Sequence, residues 1–261
     1  MNKLTSKDGT QIAYDKRGEG PAVILVDGAL CHRSFGPMPR LSELLSPHFT
    51  AYNYDRRGRG DSGDRQPYAL QREIEDIEAL IEEAGGSALV FGTSSGACLA
   101  LEAASQLGDK IQKLAMYEPP YNSNPDVRQA WKEYRQELDE LLPADRRGDA
   151  AALFMRSVGT PDDQIAGMRQ SPIWPMFEAV APTLAYDAAA LGPERRIPAE
   201  RAAKVTVPAL VMNGTAIPFM LDTAKELAKA IPHAEHKTLE GQSHDVNLDV
   251  LTPVLVEFFS R

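Results

Sequence analysis

Short apolar runs alternate along this chain with longer segments whose apolar residues recur at helical spacing. The clearest run is Ala22–Val26, five consecutive apolar residues, which is typical of a strand buried on both faces. Four similar runs and one more polar run are further predicted strands: Thr50–Tyr54, Ala88–Phe91, Leu114–Tyr117, Ala209–Met212 and His236–Leu239. Strands buried on both faces need helices on both sides of the sheet, so the alternation predicts an α/β fold with a mostly parallel central sheet.

Helical segments fill several of the intervals between these runs. They are Tyr68–Ala84, the alanine-rich Gly96–Leu107, Leu221–Ala230 and Val250–Phe259. Upstream of the first run, Asp8-Gly9 lies between two segments that predict a β-hairpin, Leu4–Ser6 and Gln11–Asp15. The helical segments are expected to flank the sheet on both faces.

The length and charge of the chain limit its domain organisation and the kinds of partner it can bind. At 261 residues it is long enough for one α/β domain with an inserted subdomain, and it can bury a large core without disulfides or metals. Its net charge of −9 argues against nucleic acid as a partner. Residues 1–7 are polar, unlike a secretory signal, and no run approaches the roughly 18 apolar residues of a membrane span. These features predict a cytoplasmic protein without a membrane span.

One long segment departs from the alternation. Between Pro119 and Val207 no apolar run predicts a buried strand, and the segment contains 10 of the 19 prolines of the chain. Two stretches within it show helical spacing: Val127–Leu142 and Asp149–Val158. We therefore expect residues 121–201 to form a helical insertion, and residues 1–120 together with 202–261 to form the α/β core.

The strongest chemical motif is Gly92-Thr93-Ser94-Ser95-Gly96, between the predicted strand Ala88–Phe91 and the predicted helix Gly96–Leu107. G-x-S-x-G between a strand and a helix is typical of a nucleophile elbow, a strained turn that projects the central hydroxyl. Its glycines let strand and helix pass closely, since a Cβ at either position would collide. Ser94 would then lie at a helix N-terminus, where free amides, including that of Ser95, can stabilise an oxyanion.

With this motif the chain resembles the α/β-hydrolase superfamily over essentially its full length. The shared features are the loop Val26–Leu30 after an apolar strand, the loop Tyr54–Ser62, the elbow, the helical insertion and a late histidine. The resemblance implies an α/β-hydrolase fold in which residues 121–201 form a lid and the catalytic residues occur in the order serine, acid, histidine. It also implies His244 as the general base, because this histidine follows the last predicted strand and precedes the final helix.

The acid is the position at which this chain departs from most relatives. The usual aspartate follows the penultimate predicted strand, and here that position is Ile217, which cannot orient an imidazole. Some members of the superfamily take the acid from the end of the preceding strand, which in this chain is followed by Glu118. The resemblance therefore implies Glu118 as the acid that orients His244, with Asp222 and Asp245 as alternatives.

The same resemblance places a second oxyanion donor at the backbone amide of Ala29, with Gly28 making the turn, alongside the amide of Ser95. Many relatives have a histidine before this glycine, whereas this chain has Asp27. An ionised carboxylate aimed at an oxyanion would oppose catalysis. We therefore expect the Asp27 side chain to be turned away or held by hydrogen bonds.

These residues together predict a serine hydrolase that cleaves a small carboxylic ester, lactone or thioester through an acyl-enzyme on Ser94. The mechanism needs no metal or organic cofactor, and neither cysteine lies in a metal-ligand spacing. Apolar residues of the insertion, Trp174, Met176 and Phe177, are expected to contact an apolar portion of a small-molecule substrate.

Three alternatives use the same fold. A carbon–carbon bond hydrolase and a cofactor-free perhydrolase share the fold and the serine nucleophile, so the motifs do not separate them from an esterase. The third is a small-molecule receptor that retains the fold with little turnover. Its support is the missing acid at Ile217 and the presence of Asp27, whereas the intact Ser94 and His244 argue for an enzyme.

Overall fold

One eight-stranded β-sheet forms the centre of the protein, whose computed structural model describes residues 1–122 and 124–261. In chain order its strands are Asn2–Thr5 (β1), Gln11–Arg17 (β2), Ala22–Val26 (β3), Thr50–Tyr54 (β4), Ala88–Thr93 (β5), Ile111–Tyr117 (β6), Ala209–Asn213 (β7) and Ala234–Thr238 (β8). They lie side by side in the order β1-β2-β4-β3-β5-β6-β7-β8. The pairs β1–β2 and β2–β4 are antiparallel and the others are parallel, which confirms the predicted mostly parallel sheet.

Helices cover both faces of this sheet. In chain order the α-helices are Met38–Leu45 (α1), Leu70–Glu83 (α2), Ser95–Leu107 (α3), Pro125–Leu141 (α4), Arg147–Ser157 (α5), Asp162–Arg169 (α6), Trp174–Val180 (α7), Leu184–Leu191 (α8), Ala199–Ala202 (α9), Pro218–Ala230 (α10) and Leu248–Ser260 (α11). Residues of α2, α3 and α10 pack in the apolar cluster on one face, and residues of α1 and α11 pack in the cluster on the other. The predicted core helices are present with ends shifted by up to three residues, and α1 is an additional helix.

The alternation of side chains along β3 explains why its sequence is apolar throughout. Ile24 and Val26 belong to the apolar cluster that includes α2 and α3. Val23 and Leu25 belong to the cluster on the opposite face, with α1 and α11. Successive side chains of a strand point to opposite faces, so a strand covered on both sides has no polar position.

The stretch between β6 and β7 contains α4–α9 and, among its described residues, no strand, as the sequence predicts. Helices α4 and α5 correspond to the two predicted helices. Helices α6–α9 were not predicted, because a helix of 4 to 8 residues has too few turns for its apolar residues to show a helical period. Trp131, Leu153 and Phe177 of this stretch join the same apolar cluster as α3. The insertion therefore packs directly on the core, and its role as a lid stays a prediction. None of the described helices has the length and apolar character of a membrane span.

Candidate active site

Ser94 lies in a sharp turn between the end of β5 and the start of α3. Its backbone has φ 54° and ψ −130°, a conformation that non-glycine residues rarely adopt, and its side chain is half-buried. The Ser94 amide donates a hydrogen bond of 3.0 Å to the carbonyl of Tyr117 at the end of β6. A Cβ on Gly96 would lie 2.3 Å from the carbonyl oxygen of Val26, and one on Gly92 would lie 2.5 Å from that of Gly96. Both glycines therefore permit the close crossing of α3 over the sheet.

Glu118 and His244 meet at the same edge of the sheet. Oε2 of Glu118 lies 2.7 Å from Nδ1 of His244, and Oε1 accepts a 2.8 Å hydrogen bond from the amide of Gly214. The Glu118 side chain is buried and its backbone has φ 45°, stabilised by a hydrogen bond from its amide to the carbonyl of Met212. The contact engages Nδ1, so Nε2 is the imidazole nitrogen left to take part in proton transfer.

The loop that carries His244 is attached to the ends of β6 and β7. The hydroxyl of Tyr117 donates a 2.5 Å hydrogen bond to the carbonyl of Ser243. The amide of Thr215 donates to the carbonyl of Gln242, and a Cβ on Gly214 would lie only 2.2 Å from that same carbonyl oxygen. The histidine loop is therefore positioned by the strand ends on which Glu118 also depends.

The two alternative acids, Asp222 and Asp245, are exposed, whereas Glu118 is buried. Asp222 is exposed on α10, and Asp245 is exposed beside His244. In the part of the chain that the structure describes, neither carboxylate forms a hydrogen bond with the imidazole. Ile217, at the usual acid position, is the residue immediately before α10. Among the carboxylates considered from the sequence, the structure brings Glu118 into contact with His244.

Two backbone amides beside Ser94 have no hydrogen-bond acceptor within residues 1–122 and 124–261. One is the amide of Ser95, the first residue of α3, and the other is that of Ala29 in the loop after β3. Amides without a partner at a helix N-terminus and an adjacent turn can hold an anion. The resemblance to the α/β-hydrolase superfamily implies these two amides as the oxyanion donors, and that role stays a prediction.

Asp27 lies just before this pair of amides. Its side chain is buried, and Oδ1 accepts a 2.8 Å hydrogen bond from the amide of Gly28, as expected for a carboxyl held by hydrogen bonds. Burial raises the pKa of Asp27 to about 7, although the hydrogen bond from Gly28 and the charges of Arg59 and Arg56 act in the opposite direction. The carboxyl is therefore poised between its neutral and ionised forms near neutral pH.

Residues 23–255 of the chain match the sequence profile of the alpha/beta hydrolase family. The chain belongs to this family. It is 50% identical to an alpha/beta hydrolase from Sphaerobacter thermophilus, with a TM-score of 0.87 over 99% of this chain and 100% of that one. It also superimposes on the enol-lactonase from Burkholderia xenovorans with a TM-score of 0.70 and 23% identity, over 100% of both chains, a likeness of fold. The uncharacterized hydrolase YraK of Bacillus subtilis is 28% identical over 115 residues, 42% of each chain, so the match spans less than half of that relative.

The predicted α/β-hydrolase fold is thus confirmed, and the structure adds two charged residues to the site. Arg59 donates from Nη1 to the carbonyl of Gly28 at 2.5 Å and to that of Cys31 at 3.1 Å. The carbonyl of Gly28 and the amide of Ala29 belong to one planar peptide group, so this bond orients the Ala29 amide. The sequence marks the loop that contains Arg59, but its motif does not indicate which carbonyl groups the guanidinium binds.

The second residue is Asp187 of α8, in the insertion of this alpha/beta hydrolase. Its carboxylate accepts hydrogen bonds from Nη2 of Arg59 at 2.8 and 2.9 Å, and from Oγ of Ser95 at 2.8 Å. It also accepts one from Nη1 of Arg56 at 2.6 Å. Burial alone would raise the pKa of Asp187, but the two guanidinium charges lower it overall, so the carboxylate stays ionised. No sequence signal marks this aspartate.

The three residues predicted to contact substrate differ in position. Phe177 is buried and its ring meets that of Phe35, in the loop after β3, edge to face at 5.7 Å. Trp174 is buried, its indole nitrogen donates to Glu178 at 3.1 Å, and its ring packs on Phe177. Met176 is partly buried against the same cluster. Phe177 is therefore the one of the three with a ring contact to the loop beside the candidate site.

Within the described residues, no group of three or more histidine, cysteine, aspartate or glutamate side chains is arranged to hold a metal ion. The two cysteines are free, Cys98 buried in α3 and Cys31 partly exposed.

Proposed function

We propose that the protein is a serine hydrolase that cleaves a small carboxylic ester, lactone or thioester, with Ser94 as nucleophile, His244 as base and Glu118 as the orienting acid. The observation that carries the proposal is the 2.7 Å contact between Glu118 Oε2 and His244 Nδ1. It lies at the sheet edge where Ser94 occupies a strained elbow. Thr93 of β5 pairs with Tyr117 of β6, so Ser94 and Glu118 leave neighbouring strands at the same edge of the sheet, and Glu118 is bonded to His244. A serine, a histidine and a buried carboxylate can take the three roles of a catalytic triad.

The reaction would proceed in two steps. Oγ of Ser94 attacks the substrate carbonyl and transfers its proton to Nε2 of His244, while the amides of Ala29 and Ser95 stabilise the tetrahedral oxyanion. The imidazolium then protonates the leaving alcohol or thiol as the carbon–heteroatom bond breaks, leaving an acyl-enzyme. Water attacks this ester with His244 as base, and collapse of the second intermediate returns the proton to Ser94 and releases the carboxylic acid.

Arg59 and Asp187 serve as positioning residues in this proposal. Arg59 orients the Ala29 amide through the carbonyl of Gly28, and Asp187 holds both Arg59 and the hydroxyl of Ser95. Preorganised amide donors contribute because they need not reorient when the oxyanion forms. The insertion would therefore influence catalysis through Asp187 as well as cover the substrate.

A serine at the elbow supports acyl chemistry, because a serine hydroxyl attacks a substrate carbonyl to form an acyl-enzyme. The enol-lactonase from Burkholderia xenovorans is named for a lactone substrate. Phe177, which packs against the loop beside the oxyanion amides, supports a substrate with an apolar portion. A panel of short and long acyl esters, lactones and thioesters, together with carbon–carbon bond and perhydrolase assays, would identify the preferred class.

Reaction with a fluorophosphonate tests the nucleophile directly. We expect rapid, stoichiometric labelling of the wild-type protein and no labelling of Ser94→Ala. Ser105→Ala is the matched control. Ser105 lies in α3, the helix that follows Ser94, and its hydroxyl donates a 2.8 Å hydrogen bond to the carbonyl of Glu102. Absence of labelling in correctly folded wild-type protein would instead favour a receptor with little turnover.

A further inference from the structure

The guanidinium group of Arg195 is partly buried and has no carboxylate partner among residues 1–122 and 124–261. It lies in the segment between α8 and α9, where its backbone has φ 55°. Nε donates a 2.6 Å hydrogen bond to the carbonyl of Pro120, and the group stacks over the ring of Trp131 at 5.4 Å. Nη1 and Nη2 form no hydrogen bond with any part of the chain that the structure describes. Two charge-bearing donors are therefore left without an acceptor.

The surroundings of Arg195 do not neutralise its charge. The titratable groups that act on it are Cys98 and Tyr134, and burial raises the pKa of both, that of Cys98 to about 12. Both are therefore uncharged at neutral pH. Burial without a compensating anion lowers the pKa of Arg195 below its usual value. A guanidinium whose Nη1 and Nη2 are not bonded to the described chain can bind an anion through both nitrogens.

A mainly apolar groove of about 540 Å³ lies beside this guanidinium, between α4 and α5. Trp131, Tyr134 and Leu153 are its most buried lining residues, and the first two rings stack at 5.1 Å. The structure shows no hydrogen bond to the Tyr134 hydroxyl within the described residues.

The other charged lining residues of the groove differ from Arg195. Three carboxylates on α4 are exposed: Asp126, Glu133 and Glu137. Arg156, also exposed, forms an ion pair with Asp162 at 2.6 Å. Arg195 is thus the lining cation without a partner in the described chain.

We propose that this groove binds a small organic carboxylate with a flat apolar body. The carboxylate would accept two parallel hydrogen bonds from Nη1 and Nη2 of Arg195, the geometry that a guanidinium favours, while the body would contact Trp131, Tyr134 and Leu153. The ligand is either the acid-bearing end of the substrate or a separate ligand. Arg195 binds the carbonyl of Pro120, two residues after Glu118.

Isothermal titration with phenylacetate and its uncharged amide, phenylacetamide, tests the proposal. We expect the wild-type protein to bind phenylacetate at least about tenfold more tightly than the amide, since a charge-assisted hydrogen bond to a carboxylate is stronger than one to a neutral amide. Arg195→Gln should lose this preference and Arg195→Lys should retain part of it. Arg156→Gln removes an equal charge from the same groove and should bind phenylacetate like the wild type.

Several results would overturn the proposal: no binding of either compound to the wild type, equal affinity for acid and amide, or equal losses in Arg195→Gln and Arg156→Gln. The comparison of acid with amide requires no variant, so it stands even if Arg195→Gln fails to fold.

Repeating the titration after fluorophosphonate treatment distinguishes a carboxylate that belongs to the substrate from one that belongs to a separate ligand. Loss of phenylacetate binding in labelled protein indicates a substrate carboxylate, and retained binding indicates a separate ligand. If Ser94 does not label, the serine-hydrolase proposal fails while the acid–amide comparison still decides this one.

Discussion

Oγ of Ser95 donates a 2.8 Å hydrogen bond to the carboxylate of Asp187, across 92 residues of sequence. The first residue belongs to the elbow of the core and the second to α8 of the insertion. The same carboxylate holds Arg59, which in turn binds the carbonyl of Gly28 on the other side of the proposed oxyanion site. Both proposed oxyanion amides are therefore linked to one buried side chain of the insertion.

Replacing Asp187 with asparagine should lower kcat by about ten- to a hundredfold with little change in KM, because misoriented amide donors weaken transition-state stabilisation. Steady-state kinetics on the best ester of the panel would measure this effect. Glu73→Gln is the control, since Glu73 is also buried and bonds Arg56 at 2.7 and 2.9 Å without contacting Arg59 or Ser95. Each substitution leaves a buried guanidinium short of a partner and should lower stability by about 3–5 kcal/mol. Equal losses of kcat in both variants would reduce Asp187 to a structural role.

Glu118→Gln should lower kcat by about 10²–10⁴-fold, because the amide nitrogen cannot accept the hydrogen bond from Nδ1 of His244. The glutamine oxygen can still accept from the amide of Gly214, so the fold should be kept. Asp245→Asn, which changes the acid next to His244, should retain near-wild-type kcat. A near-wild-type rate in Glu118→Gln would instead show that another group orients the histidine.

Asp27 should make the stability of the protein fall as pH rises between about 4 and about 7. Its carboxyl has a pKa of about 7 in the folded protein against a usual value of 3.8, so over this range the folded state binds more protons than the unfolded state. Stability from this group is then greatest below pH 4 and declines by at most about 1.4 kcal/mol per pH unit. Urea unfolding of wild type and Asp27→Asn at several pH values would measure the difference. Parallel pH profiles for the two proteins would contradict the raised pKa.

Gly96→Ala should destabilise the protein by about 1–3 kcal/mol or more, since a Cβ there would lie 2.3 Å from the Val26 carbonyl oxygen and 2.5 Å from that of Asp27. Thermal unfolding would show the loss, together with reduced fluorophosphonate labelling as the elbow shifts. Gly167→Ala in α6 is the matched control, because no atom lies within 4 Å of its Cβ position. That change should be neutral or stabilise by up to about 1 kcal/mol. Equal stability in both variants would show that the strand–helix crossing relaxes freely.

Local patterns made much of the core predictable. A strand buried on both faces has no polar position, so β3 is visible in the sequence as Ala22–Val26. The helices α6–α9 were not predictable in the same way, because short helices that pack on several neighbours carry no single apolar stripe. Helix α7 illustrates this, since it has only seven residues and begins at Trp174, between Pro172 and Pro175.

By itself the sequence determined the strand–helix alternation and the serine in its glycine-flanked turn, which follow from local spacing and turn chemistry. The resemblance to the α/β-hydrolase superfamily implied His244 and Glu118 as its partners, with Asp222 and Asp245 as alternatives to Glu118. Only the tertiary structure decided that Arg59 reaches Gly28, that Asp187 joins Arg59 to Ser95, and that Arg195 has no carboxylate partner within the described residues. Such contacts join residues as far as 128 positions apart, and they depend on how the insertion packs on the core, which no local pattern encodes.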